Sequence, residues 1–235
     1  MSDARDYFGY KRPDDEPGRR EEAPDEDDPQ SPPLFDEAIT LDNPTFMRGI
    51  DTADMVGRVR ELPRDLALAR RVAAAVELPA SHRDVDAVCV LAMGGSAIGA
   101  DLVAGIAGSR MRVPLVVHRD YGLPAWTTPR TLVIAASHSG ETVETVSGAN
   151  EARARGLPLA VISTGGTLGT MATDATLPYL RYEGPGQPRA AIGFGIGLLY
   201  ELLVRGGLLV DADPLGPAVE ALESPARRRV ALGLL

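Results

Sequence analysis

The chain has 235 residues, of which 44% are hydrophobic, so it is long enough to bury one sizeable core. The net charge is −9, but residues 1–33 hold eleven acids and five bases, so the rest of the chain is nearly neutral and offers no basic stripe for nucleic acid. The only lysine is Lys11. The body of the chain therefore cannot supply the lysine of a Schiff base or of a P-loop.

A single cysteine, Cys89, lies within an apolar run. It excludes an internal disulfide and a cysteine-rich metal site, and it is typical of a reducing compartment. No apolar stretch reaches membrane-spanning length, and the N-terminus lacks the apolar core of a signal peptide. We therefore expect a cytoplasmic protein that binds neither membranes nor nucleic acid.

Residues 1–33 are acidic, rich in proline and almost free of aliphatic side chains, which predicts a disordered tail. Residues 34–85 are predicted to form a helical N-terminal segment, for which Thr52 is a candidate N-cap. Pro63 interrupts the helical pattern and predicts a kink or two abutting helices. Apolar residues recur there at steps of three and four: Met55, Val59, Leu62, Leu66, Ala69, Val72 and Val76.

Residues 86–210 alternate short apolar strands with helix-like stretches, which predicts an α/β fold with a five-stranded parallel sheet flanked by helices. The predicted strands are Ala87–Met93, Val113–His118, Thr131–Ala136, Leu159–Ser163 and Leu177–Tyr182. The predicted helices are Ala97–Ala107, Glu141–Arg155 and Ala191–Val204. Right-handed crossovers place the loops after the strands along one sheet edge, where such folds bind ligands. Residues 211–235 are predicted to form a short helical C-terminal segment.

The loop after the first strand has the sequence Gly94-Gly95-Ser96-Ala97-Ile98-Gly99 and opens a helix. Glycines at a helix N-terminus let backbone N–H groups approach an anion, and a serine hydroxyl adds a donor. The alternative is a tight turn between strand and helix without a ligand.

The loop after the third strand, Ser137-His138-Ser139-Gly140-Glu141-Thr142, clusters three hydroxyls around a glycine. Three neutral donors have the reach to surround one phosphate. Ordinary N-capping needs only one of them and leaves the others unexplained. A third loop of similar composition, 163–168, follows the fourth strand, and plain turn chemistry also explains it.

Together, MGGSAIGADL, SHSGETVET and STGGTL resemble the sugar isomerase (SIS) domain in their order and in their positions at strand ends. With PRAA after them and DMVGRVRELP before the first strand, the chain resembles the N-terminal half of the bifunctional phosphoglucose/phosphomannose isomerase family. The resemblance covers roughly residues 50–210, and SHSGET is its most specific part.

The resemblance implies a function and a set of site residues. It implies that glucose 6-phosphate or mannose 6-phosphate is interconverted with fructose 6-phosphate through a cis-enediol or enediolate, without a metal or organic cofactor, by a homodimer. The residues implied to bind the substrate phosphate are Gly95, Ser96, Ser137, Ser139 and Thr142. Arg189 is implied to be catalytic, by stabilising the enediolate.

The chain departs from this family in one respect that bears on activity. The family's glutamate base, ring-opening histidine and helping lysine lie in a second SIS half, and this chain ends at Leu235, about where that half is expected to begin. Isomerisation needs such acid and base groups. Two alternatives therefore stay open: an isomerase half completed elsewhere, and a phosphosugar-sensing module without turnover.

A nucleotide-binding oxidoreductase is a further alternative, because Asp120 follows the glycine loop at about the distance of a ribose-binding acid. Ser96 replaces the middle glycine of that fingerprint, however, and the SHSGET loop has no role in such a site. His138 is interpreted as a loop filler between the two serines.

Overall fold

The computed structural model describes residues 43–184, 186–210 and 215–224, so the predicted acidic tail lies outside the described residues. The chain divides into two units, 1–50 and 51–235. In the first unit, the described part is a short helix, α1 (Pro44–Ile50). The Asn43 side chain caps it by accepting the N–H groups of Thr45 and Phe46 at 3.0 and 3.2 Å.

The second unit opens with two consecutive helices, α2 (Met55–Arg60) and α3 (Leu62–Ala74). Pro63 lies in the first turn of α3, where its missing N–H has no intrahelical partner to lose. Two abutting helices are therefore correct. The expected N-cap, Thr52, is wrong: Asp54 caps α2 by accepting the N–H of Gly57 at 3.2 Å. Carboxylates are favoured at this end of a helix because the helix dipole is positive there.

The predicted fold class is confirmed: five parallel strands form one sheet in the order β2-β1-β3-β4-β5. This strand order is that of flavodoxin-like sheets, in which the chain winds outward in both directions from β1 and β3. The strands are β1 (Ala87–Leu91), β2 (Leu115–His118), β3 (Thr131–Ala136), β4 (Leu159–Ser163) and β5 (Tyr179–Arg181).

Helices cover both faces of the sheet, which explains why its central strands are uniformly apolar. The bounds of the remaining helices are α4 (Gly94–Ala107), α5 (Val143–Ala154), α6 (Gly166–Asp174), α7 (Ile192–Arg205) and α8 (Leu215–Glu223). One face of the sheet is covered by α3, α4 and α7, with α8 packed on α3, and the other face is covered by α5 and α6. The sequence analysis did not predict α6. No helix in the described ranges is long and apolar enough to cross a membrane.

The glycines of α7 allow close helix packing. A Cβ at Gly197 would lie 2.5 Å from the Cβ of Ala69 on α3. A Cβ at Gly99 of α4 would lie 3.5 Å from the backbone of Gly195. The N-terminal part of α4 is thereby held against α7, and this contact fixes the helix that opens the candidate site.

Candidate functional site

The two glycine- and serine-rich loops meet where the sheet changes its winding direction. The loop after β1 leads into α4 on one face, and the loop after β3 leads into α5 on the other. Because β1 and β3 are neighbours, a crevice opens between their carboxyl ends. Open parallel sheets bind ligands at this position.

The Ser96 side chain, in the first turn of α4, contacts the loop after β3. Its Oγ accepts the backbone N–H of His138 at 3.2 Å. A Ser96 hydroxyl far from this loop would have ruled out a shared site. The hydrogen bond instead joins the two predicted loops, with Ser137 next to the residue that donates it.

Within the loop after β3, the hydroxyls of Ser137 and Thr142 are hydrogen-bonded to each other at 2.8 Å. Ser137 is buried, and its Oγ also accepts the N–H of Gly140 at 3.1 Å. Ser139 is exposed, and its Oγ accepts the N–H of Glu141 at 3.2 Å. The four predicted hydroxyls therefore belong to one hydrogen-bonded arrangement around the turn.

This arrangement prepares the hydroxyls to donate outward. The oxygens of Ser96, Ser137 and Ser139 each accept a backbone N–H. Accepting an N–H does not use the proton of a serine hydroxyl. The hydrogen bond between the Ser137 and Thr142 hydroxyls uses one of the two protons of that pair. Three hydroxyl protons thus remain for an acceptor, together with the unpaired N–H groups at the start of α4. A set of neutral donors of this kind is chemically suited to an anion.

The loop after β4 braces the loop after β3. The backbone N–H of Leu168 donates to the Gly140 carbonyl at 3.0 Å. Gly140 has φ +73°, and a Cβ there would lie 1.9 Å from the Gly165 carbonyl oxygen, so only glycine fits. The Glu141 carboxylate accepts the N–H and the hydroxyl of Thr167 at 2.6 and 2.8 Å, at the N-terminus of α6. The third predicted loop is therefore a scaffold for the second.

The sequence analysis missed Tyr182, which lies just after β5 and borders the site. Its hydroxyl is 3.0 Å from His138 Nδ1, and its ring stacks on Phe194 of α7 with centroids 4.8 Å apart. Burial raises the pKa of Tyr182, so the phenol stays protonated. Tyr182 could have been predicted as a site residue from its position at the end of the last predicted strand, because the other site loops also follow strand ends.

A small cavity of about 20 Å³ lies among Ser96, Ser137, His138 and Tyr182, and Pro188 also lines it. It has room for about one water molecule. The cavity is therefore too small to hold a sugar. Within the described ranges, no group of three or more His, Cys, Asp or Glu residues is placed to hold a metal ion.

Arg189 lies in the 3-10 turn Pro188–Ala191 that leads directly into α7. The backbone of this turn packs on the start of α4, because a Cβ at Gly95 would lie 3.6 Å from the Arg189 nitrogen. The Arg189 side chain is exposed, and its Nη2 donates to Gln187 Oε1 at 3.4 Å. The structure thus brings the Arg189 backbone, but not its guanidinium, against the hydroxyl loops, which are residues 94–99 after β1 and 137–142 after β3.

Comparison with known proteins identifies relatives of this domain, although no protein-family model matches the chain. The chain is 35% identical over 159 residues to a bifunctional phosphoglucose/phosphomannose isomerase of Caldicellulosiruptor bescii, and this match covers 68% of the chain and 47% of that protein. A protein of the same description from Thermoplasma acidophilum is 31% identical over 154 residues, covering 61% of the chain and 47% of the relative. The chain spans about half the length of the curated relatives it matches.

Solved structures share the fold. A hypothetical protein of Thermus thermophilus superposes with a TM-score of 0.50 at 25% identity, over 80% of this chain and 50% of that one. A Clostridium difficile 630 protein, provisionally described as a phosphosugar isomerase, has a TM-score of 0.55 at 13% identity, over 74% of this chain and 52% of its own. The chain is therefore homologous over part of its length to the bifunctional phosphoglucose/phosphomannose isomerases, and it shares its fold with these solved structures.

Proposed function

We propose that this domain binds the phosphate of a hexose 6-phosphate with Ser96, Ser137, Ser139 and Thr142. The observation that carries the proposal is the arrangement of the hydroxyls: the oxygens of Ser96, Ser137 and Ser139 already accept backbone N–H groups, and three of the four hydroxyl protons remain available. A phosphate dianion is acceptor-only and suits such a set of donors. Gly95 contributes a close backbone approach at the start of α4.

The reaction that we propose is the interconversion of glucose 6-phosphate or mannose 6-phosphate with fructose 6-phosphate through a cis-enediol or enediolate. The homology to bifunctional isomerases supports it. Arg189 is proposed to turn from Gln187 toward the bound sugar and to stabilise the negative charge on the enediolate. A homodimer belongs to the same proposal, and light scattering of the purified protein tests it.

A second candidate is a phosphosugar-binding module without turnover. Glu141, an acid within the hydroxyl loop, favours it because both oxygens of this carboxylate are occupied by Thr167. An acid used as a helix cap is poorly placed to carry a proton between two carbons. Under this candidate the chain binds the sugar phosphate but does not convert it.

Calorimetric titration with glucose 6-phosphate, glucose and inorganic phosphate tests the binding proposal. We expect binding of both phosphates and no binding of glucose, and failure of both phosphates to bind would refute it. A coupled assay for fructose 6-phosphate then separates the two candidates. Arg189→Ala should reduce any turnover by about 100-fold while changing glucose 6-phosphate affinity less than about threefold, because the arginine acts on charge formed in the transition state.

A further inference from the structure

His138, between the two serines of the hydroxyl loop, is the residue at which several strand-end segments meet. Its backbone N–H donates to Ser96 at the start of α4. Its carbonyl oxygen accepts the N–H of Thr164 at 3.1 Å and the Thr164 hydroxyl at 2.8 Å, in the loop after β4. Both backbone groups of His138 therefore tie its own loop to neighbouring loops.

The imidazole of His138 reaches a fourth segment, the chain that follows β5. Its Nδ1 is hydrogen-bonded to the Tyr182 hydroxyl, and the two rings lie 5.8 Å apart. Gly184 packs on this pair: a Cβ there would lie 2.8 Å from Tyr182 Cε2 and 3.0 Å from His138 Cε1. The fit leaves little freedom for either ring.

Tyr182 connects this contact to the start of α7. Tyr182 is 6% exposed, and its ring stacks on Phe194, which lies in the first turn of α7. The 3-10 turn that holds Arg189 runs straight into the same helix. Besides the backbone contact between the Arg189 turn and Gly95, one path from the loop after β3 to Arg189 therefore passes through a polar contact and an aromatic stack.

We propose that His138 is a positioning residue, whose hydrogen bond to Tyr182 fixes the start of α7, and with it Arg189, relative to the phosphate-binding hydroxyls. This inference rests on the proposed function, because it concerns how Arg189 meets a substrate bound by those hydroxyls. The hydrogen bond between the half-buried His138 and the buried Tyr182 is directional, and a displacement of about 1 Å in a positioning contact is enough to weaken a catalytic interaction strongly.

The test compares two ligands, inorganic phosphate and 5-phosphoarabinonate, a sugar acid phosphate whose planar carboxylate resembles an enediolate. Tyr182→Phe keeps the stacked ring and removes the hydroxyl. It is expected to reduce affinity for 5-phosphoarabinonate about tenfold and affinity for inorganic phosphate less than about twofold. Tyr179→Phe is the matched control, because this β5 tyrosine bonds Ser163 instead of His138. It should change neither affinity by more than about twofold.

Two further variants distinguish positioning from general loss of structure. His138→Asn keeps an acceptor near the position of Nδ1 and should retain most of the 5-phosphoarabinonate affinity, whereas His138→Phe should lose about tenfold. In an Arg189→Ala background, Tyr182→Phe should have an effect of less than about twofold on either ligand, because the group it positions is gone.

The inference is overturned if Tyr182→Phe leaves the affinity for 5-phosphoarabinonate unchanged or lowers the affinities for both ligands equally. It is likewise overturned if Tyr182→Phe still lowers the 5-phosphoarabinonate affinity in the Arg189→Ala background. It is also overturned if His138→Asn and His138→Phe behave alike. If the unaltered protein binds neither ligand, the proposed function itself fails. This result differs from one in which both ligands bind and Tyr182→Phe does not change their affinities.

Discussion

Ser137→Ala is the substitution that most directly tests the hydroxyl site. Ser137 is 3% exposed, and its Oγ accepts the Gly140 N–H and bonds the Thr142 hydroxyl. The substitution removes one donor to the proposed phosphate and leaves the backbone path of the loop unchanged. It therefore separates the contribution of Ser137 to binding from its contribution to folding.

The structure sets the expected size of each effect. After the substitution the Gly140 N–H still has a partner, the Ser137 carbonyl oxygen at 3.2 Å, so no buried amide is left unpaired. The free energy of unfolding should fall by only about 1 kcal/mol. A hydrogen bond to a charged group contributes about 1.5–3 kcal/mol, so affinity for glucose 6-phosphate should fall about 10- to 150-fold.

The matched control is Ser163→Ala, at the corresponding end of β4. Ser163 is fully buried, and its Oγ lies 3.0 Å from the Gly165 carbonyl oxygen and 3.2 Å from the Tyr179 hydroxyl. Calorimetry should show that Ser163→Ala binds glucose 6-phosphate with unchanged affinity. Urea unfolding of this variant should show that the free energy of unfolding falls by about 1 kcal/mol. Equal affinity losses in the two variants, or none in Ser137→Ala, would refute the assignment.

Two other predictions concern stability. Gly140→Ala should lower the free energy of unfolding by more than about 3 kcal/mol, because φ is +73° and the new Cβ would strike Gly165. Gly105 on α4 faces open space, so Gly105→Ala should raise the free energy of unfolding by about 0.5–1 kcal/mol. Urea unfolding that gave the two variants equal stability would contradict the packing. Burial lowers the pKa of His82, whose Nε2 is 3.0 Å from the Leu159 carbonyl oxygen. The unfolded chain then binds more protons, so stability should fall as pH drops below about 6.5. This fall should be smaller in His82→Gln, as measured by unfolding between pH 7 and 5.

The strands were predictable because uniformly apolar runs have few alternatives in a sheet covered on both faces. The bounds of β3 and β4 were predicted to the residue, and those of the other strands to within two residues. Helix α6 was not predicted, although Leu168, Met171 and Ala172 have helical spacing and are buried. Its sequence is rich in glycine and threonine, and the Glu141 carboxylate that caps it comes from another loop.

The hydroxyl loops were predictable as residues, but their contacts were not. Ser96 and His138 are 42 positions apart, and only the parallel pairing of β1 with β3 brings them to the same crevice. The contact of His138 with Tyr182 is of the same kind, since Tyr182 lies 44 positions further along the chain.

By itself, the sequence determined the alternation of strands and helices, the hydroxyl-rich turns at strand ends and the family they resemble, because these depend on local composition and spacing. Only the tertiary structure decided which turns touch, that the loop after β4 is a brace, and that the Arg189 guanidinium lies outside the cavity. Those contacts depend on the order of strands in the sheet and on helix packing, which residues near one another in sequence do not encode.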